Sequence, residues 1–530
     1  MREPMRGRLM LAAVVALLLT VVGCAPVSPE VAARARAPKQ GPVGQMAFQL
    51  PERATSFNPF AGADTAEGML AAAQFQPLLS NIDGKMMPRM ADRWQVTDDG
   101  SGLVVTLRRD WWSDEIRMSA NDLIWTIEQH LKPENRSPLA PALMQLAGAA
   151  DFAAGRSERI SGLVAQTNRD VVFTLTAPNP QFIDNLTQLV VLPEHVYRGK
   201  DVSDPATFAE PKVGSGAYLF DRWESDGRVV LLPNPRVQPY TRMNQVIGVP
   251  VTPDKATEKL RDGTLQLATA LPAPEVGRPV EGFRNQQAPG NRVLALTGLH
   301  GRLADPRVRQ GMMYALDRAQ LIERYAGGNA RVVDSLMFAP DWATTGGDRY
   351  RPDQNRARDL LRAGGWKTDA PLRIMVLSAD PDPAIWEAMA DQLSAVGVRA
   401  SVEVRSPSRR AAVLADPNVD AVVQAYPMPV PDPSMITPWV SCATAGDPLG
   451  PNPGGYCNPK VDQLLTKGAA EIDPVARAEN YHQVARLLTE EVPALPLWVP
   501  DAGLLVSTQY SGVNPLLMPA TSMIDFWGVG

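Results

Sequence analysis

A serine set between glycines, in Val213-Gly214-Ser215-Gly216, is the position in this chain that most invites a reading as a nucleophile. Acyl transfer would also need a base within hydrogen-bond reach and a group to orient that base. The string lacks the Gly-x-Ser-x-Gly spacing that lifts a serine onto a sharp strand-to-helix elbow. The four histidines, His130, His195, His300 and His482, are scattered along the chain, so a triad would have to be assembled by chance. No catalytic residue is expected. No metal ligands or cofactors are expected either, because the sequence contains no His-x-His or Cys-x-x-Cys spacing and no Walker-type phosphate loop. The Arg307 and Arg309 pair beside Asp305 reads as a solvated helix flank rather than an anion site.

The whole-chain numbers narrow the class. There are 530 residues with a net charge of -5 from 52 basic and 57 acidic side chains, which gives no basic footprint for nucleic acid. The length exceeds one hydrophobic core, so two or three lobes are expected. The 49 prolines and 40 glycines are dispersed, as in a loop-rich globular protein and unlike a low-complexity one.

The N-terminus reads as an address. Arg2, Arg6 and Arg8 precede an apolar run from Leu9 to Val22, which is short for a membrane span and right for an export signal. Val21-Val22-Gly23-Cys24 resembles a bacterial lipobox, which implies that residues 1–23 are a signal peptide and that Cys24 carries lipid. Residues 24–44 then form a tether with no apolar period. Of three cysteines, Cys442 and Cys457 remain, an even pair in an oxidising compartment. They bracket a Gly/Pro/Asn-rich segment that a disulfide would staple, with two free buried thiols as the alternative.

Strand-like and helix-like segments alternate beyond residue 45, the pattern of an α/β fold. Leu103–Leu107, Asp170–Leu175, Arg228–Leu232, Leu372–Leu377 and Val419–Tyr426 are runs rich in β-branched residues. Ser119 with Asp122 opens a helix like a capping box. Asp305-Pro306, Asn458-Pro459 and Asp473-Pro474 open three more, with proline at the first turn where no amide hydrogen is needed. The helix from Pro306 is expected to run to Gly327-Gly328.

Seven strings, taken in order, resemble the peptide-, nickel- and opine-binding proteins of ABC importers (family 5). They are Ser56–Phe60 (SFNPF), Lys85–Thr126 with its Trp112-Ser113-Asp114 core, Val213–Tyr218 with the later LLPNP, Asp305–Ile322, Arg356–Trp366, Gly454–Leu465 and Val492–Val499. The resemblance implies a periplasmic-binding-protein type II-like α/β fold: two large lobes with mixed sheets, a hinge, and a small extra domain on the first lobe. Lobe I would take residues 45–79, 183–290 and 497–530, the small domain 80–182, and lobe II 291–496. Trp112-Ser113-Asp114 reads as a turn with a packed indole rather than a ligand contact.

The same resemblance implies a lipid-anchored monomer on the extracytoplasmic face of the cell membrane, handing a peptide or peptide-like solute to a separate permease and ATPase. Ligand contacts are expected from Phe57, Asn58, Thr297, Leu299, His300, Tyr426, Met428, Pro429 and Asp432. In peptide binders of the family, an aspartate at the position of Pro429 holds the α-amine of the ligand; proline has neither charge nor amide hydrogen. Asp432 is then the carboxylate expected to reach an amine, unless the ligand lacks one. Thr297 and Leu299 replace a polar neighbourhood, and Glu115 stands where the family has glycine. A non-transport lipoprotein of the same fold, acting in envelope assembly or signalling, is the alternative that the loss at Pro429 favours.

Overall fold

The computed structural model describes residues 44–62, 65–82, 85–179, 181–237, 242–299, 301–338, 340–344, 349–367, 370–378, 382–428, 432–513 and 528–529. Cys24 and the tether up to residue 43, His300 and Pro429 lie outside the described residues.

Two mixed sheets carry the architecture. The first has seven strands in the order Phe283–Ala288, Ala502–Ser507, Leu267–Ala268, Gln45–Leu50, Gln245–Pro250, Val229–Pro233 and Tyr218–Trp223. Gln45–Leu50 runs parallel to Gln245–Pro250, and Phe283–Ala288 runs antiparallel to Ala502–Ser507. Side chains alternate across the pleat: Met46, Phe48 and Leu50 enter one apolar core, while Ala47, Val249 and Leu505 enter another on the opposite face. A strand buried on both faces explains the near-continuous apolar run MAFQL.

The second sheet has six strands, in the order Ala330–Val332, Leu495–Pro500, Arg292–Gly298, Ala421–Pro427, Leu372–Leu377 and Ala400–Arg405. Leu296, Ile374, Val423 and Leu495 face one core; Val293, Ala295, Tyr426 and Val499 face the other. A four-stranded antiparallel sheet of Ala91–Val96, Gly102–Leu107, Asp170–Thr174 and Leu163–Ala165 packs Leu103, Val105 and Phe173 against Leu123 and Ile127 of the helix Ala120–Leu131. Asp122 accepts from the Ser119 amide at 2.8 Å, the reciprocal half of the expected capping box.

The chain passes between the two large sheets at residues 289–291 and again at Asp501. The second passage differs from the expected boundary after residue 496. Trp498 still pairs with Leu294, and Val499 with Arg331, so the last strand of the second sheet continues to Pro500. The passages press together at Gly290, where a Cβ would stand 1.8 Å from the carbonyl oxygen of Pro500. Only glycine fits that approach. Away from the passages, the Ser406 hydroxyl donates to Glu52 at 2.6 Å, tying an end of the second sheet to the end of Gln45–Leu50.

Three local expectations need correcting or refining. The helix expected from Pro306 to Gly327 is two helices, Pro306–Ala315 and Arg318–Ala326. Leu316 is extended and buried, and the side chain of Asp317 accepts from the Gln320 amide at 2.9 Å, starting a second helix inside the apparent period. Arg307 pairs with Asp305 at the surface, as expected. Arg309 is not a solvated flank: it donates to the carbonyls of Glu491 and Val492 at the end of the helix Pro474–Glu491, and to those of Leu303 and Ala304. Glu115 occupies left-handed backbone at φ 72, the conformation for which glycine is suited.

Candidate solute-binding site

Several residues that could have done chemistry are committed to structure. Ser215 is buried, and its hydroxyl accepts from the Gln76 amide at 2.8 Å. Its neighbours Gly214 and Gly216 admit the carbonyls of Gln74 and Ala73, which would lie 2.4 and 2.0 Å from an added Cβ. The Gly-Ser-Gly string is therefore a packing device. His130 is buried against Ser137 at 2.6 Å, and burial pushes its pKa down to about 3, so the imidazole stays neutral. Trp112 is fully buried at its turn. Among the described residues no cluster of three or more His, Cys, Asp or Glu could hold a metal ion.

A cavity of about 1650 Å³ opens between the two large sheets and the segment 131–145. Its wall is mainly apolar and aromatic, with Phe60, Tyr325, Trp386, Tyr426, Trp439 and Trp498 contributing. Trp386 stacks on Trp498 with ring centroids 5.3 Å apart, and Trp439 meets Tyr426 edge-on at 5.3 Å. Such rings bring large contact area at low entropic cost.

Of the residues expected at the ligand, Tyr426 is on this wall. Its hydroxyl lies 2.5 Å from Thr297 Oγ1 and accepts from Gln424 Nε2 at 3.0 Å. Burial raises the pKa of this phenol, so it remains a neutral hydrogen-bonding group. Thr297 thus acts from behind Tyr426, where it is itself buried. Gln424 reaches on to Arg410, whose Nε donates to Oε1 at 3.0 Å. The two remaining guanidinium nitrogens donate to the carbonyls of Leu449 at 2.7 Å and Gly450 at 2.5 Å.

The other expected contacts sit elsewhere. Phe57 is fully buried in the core of the first sheet, edge-on to Phe220 and Trp223. Asn58 closes a turn by accepting from the Phe60 amide at 3.0 Å, and Phe60 is the residue of this string that reaches the cavity. The Leu299 amide donates to Asp420 O while its side chain packs towards Met375, Leu377 and Val422. Met428 is buried and ties its amide to Asn291 O at 2.6 Å. Asp432, expected to reach an amine, is buried in an ion pair with Arg477 at 2.7 Å and caps the turn Pro433–Ile436 through the Ser434 amide at 2.9 Å. Tight chain reversals and the need to neutralise a buried carboxylate claimed these side chains first.

Sequence reasoning missed Arg410, Gln424, Trp386, Trp439 and Trp498. Trp498 lies within the VPALPLWV string already singled out, and Gln424 alternates with Tyr426 on one face of its strand, a signal that could have been read. Arg410 gave no local signal.

Residues 85–447 match the profile of the bacterial extracellular solute-binding proteins, family 5 (middle). The chain belongs to this family. Among its relatives is the probable di/tripeptide-binding protein 5 of Pseudomonas aeruginosa, 25% identical over 462 residues, which cover 82% of this chain and 85% of that one. Similar solved structures include the murein tripeptide binding protein MppA of Escherichia coli, with a TM-score of 0.80 at 19% identity, covering 92% of this chain and 98% of that one. The oligopeptide-binding protein AppA of Bacillus subtilis, in complex with a nonapeptide, has a TM-score of 0.79 at 17% identity, covering 93% of this chain and all of that one. The fold of this family 5 protein is accordingly the type II periplasmic-binding-protein fold, with two α/β lobes meeting at the cavity.

Proposed function

We propose that this family 5 protein binds a peptide or peptide-like solute in the cavity between its lobes and presents it to the permease of an ABC importer. The observation that carries this reading is the cavity itself. Its volume of about 1650 Å³ exceeds the 300–1,000 Å³ typical of small-molecule sites and leaves room for more than one amino-acid unit. The tripeptide-binding, di/tripeptide-binding and nonapeptide-bound relatives point the same way. A filled, collapsed cleft would have favoured the envelope-assembly alternative; an open cleft does not. The finer parts of the reading belong to the proposal too: export through residues 1–23, acylation at Cys24, a disulfide between Cys442 and Cys457, and a monomer held on the extracytoplasmic face of the membrane. So do the division into lobes and small domain and the roles given to Tyr426 and Thr297.

Mass spectrometry of the protein after mild purification tests the proposal. Recovery of bound peptides, with a melting temperature that falls when they are removed by refolding, is the expected result, because a ligand specific to the folded state must stabilise it. A protein that retains no solute and whose melting is unmoved by a random peptide library would overturn it.

A further inference from the structure

Arg410 is a half-buried cation on the cavity wall. All its described acceptors are neutral oxygens, those of Gln424, Leu449 and Gly450. It makes no ion pair within the described residues. The nearest acidic influence on it is Asp447, an exposed carboxylate that accepts from the Leu449 amide at 2.9 Å. Burial pulls the Arg410 pKa below its ordinary range, a sign that its charge is incompletely compensated. Elsewhere in the same lobe the fully buried arginines are answered by carboxylates, Arg318 by Asp334 and Arg477 by Asp432, whereas Arg309, half-buried like Arg410, is held by backbone carbonyls at a helix end away from the cavity. Proteins pair buried charges because an uncompensated one is costly. The position of Arg410 on the cavity wall leaves the compensating anion to come from the cavity. Three of its five N–H groups are engaged, which leaves two for an incoming oxyanion.

The carboxylate most expected to read a ligand amine, Asp432, is already neutralised by Arg477. The wall as a whole carries charges of both signs, four basic side chains against six acidic ones, so it is the local setting of Arg410, not the field of the cleft, that selects an anion.

We propose that the solute is anchored by a carboxylate on Arg410, with the Gln424–Tyr426–Thr297 chain holding the guanidinium in place, and that a free ammonium is not required. This deepens the peptide reading and rests on it. The ligand class is an oligopeptide or acylated peptide with an apolar body and an acidic end.

A random tripeptide library serves as the probe, used with free termini, N-acetylated or C-amidated, and measured by affinity-selection mass spectrometry on the full-length protein. Acetylation should change apparent affinity less than about threefold, whereas amidation should weaken it by about 10- to 100-fold, the range for losing a hydrogen bond to a buried charged group. In Arg410→Gln the acid and amide libraries should bind alike, and in Arg410→Lys an intermediate preference should remain because the charge stays and the fork is lost. If Arg410→Gln fails to fold, the wild-type comparison and the lysine variant decide the matter. Equal binding of acid and amide by the wild type overturns the inference and leaves the peptide reading standing. An amidation penalty that persists undiminished in Arg410→Gln removes Arg410 from the role. Failure of every library to bind overturns both.

Discussion

Asp432→Asn separates a structural carboxylate from a ligand-reading one, since the two roles predict opposite outcomes. In the folded protein Asp432 Oδ2 lies 2.7 Å from Arg477 Nη2, and the carboxyl and guanidinium side chains are only 8% and 11% exposed. Arg477 has further ties, donating to Gly468 O at 3.1 Å and stacking over Trp342 and Tyr481 at 5.0 and 5.2 Å. It would therefore stay buried if its partner lost its charge. Asparagine keeps an acceptor for the Ser434 amide, so the cap survives and the measured effect is that of the stranded cation. Breaking one side of a buried pair costs about 3–5 kcal/mol, and that range applies here because the single amide oxygen stays with Ser434 and the NH2 group, a donor, is turned towards Arg477. Urea unfolding of Asp432→Asn, Arg477→Met and the double variant reads this directly. The double variant should be less destabilised than the sum of the singles, because it strands no charge. Peptide affinity of the folded Asp432→Asn protein should stay within about threefold of wild type. The reasoning is refuted if the variant keeps its stability to within about 0.5 kcal/mol while losing peptide binding.

Three other outcomes can be checked with similar means. Replacing Cys442 and Cys457 together by serine should cost about 3 kcal/mol, the chain-entropy value for a closed loop spanning 15 positions, and a reductant should have no further effect on that variant's unfolding midpoint. Asp184, whose carboxyl is pushed from 3.8 up to about 6 by burial and then by the nearby Asp432 charge, favours its proton in the folded state. Its contribution to stability is therefore full below about pH 4 and is lost as pH rises through 6; Asp184→Asn should be about 2 kcal/mol more stable than wild type at pH 7 and level with it at pH 4, by thermal unfolding across that range. Glu115→Gly should relieve left-handed strain at φ 72 and raise stability by about 0.5 kcal/mol, after allowing for the lost surface pair with Arg236 and the added freedom of the unfolded chain. A loss above about 1 kcal/mol in calorimetry would show that the Arg236 contact outweighs the strain.

Much of the fold could be read from interactions spanning two or three residues. Asp305, Asn458 and Asp473 each accept from an amide two positions on, so their helix starts are local facts written in Asp-Pro and Asn-Pro pairs. Leu372–Leu377 begins and ends where its apolar run does, because every position but the exposed Arg373 is buried and needs an apolar side chain. The order of the motif strings, likewise a property of the chain alone, was enough to place it in its family. The candidate site was legible only at Tyr426. Asp432 and Arg477 are 45 positions apart, Thr297 and Tyr426 are 129 apart, and Arg410 meets Leu449 and Gly450 across 39 and 40, so nothing in a local window indicates which polar group answers which. A buried charge takes the nearest compensating group in space. The packing of the two sheets alone decided that Asp432 would be spent inside the second lobe and that Arg410 would face the cavity.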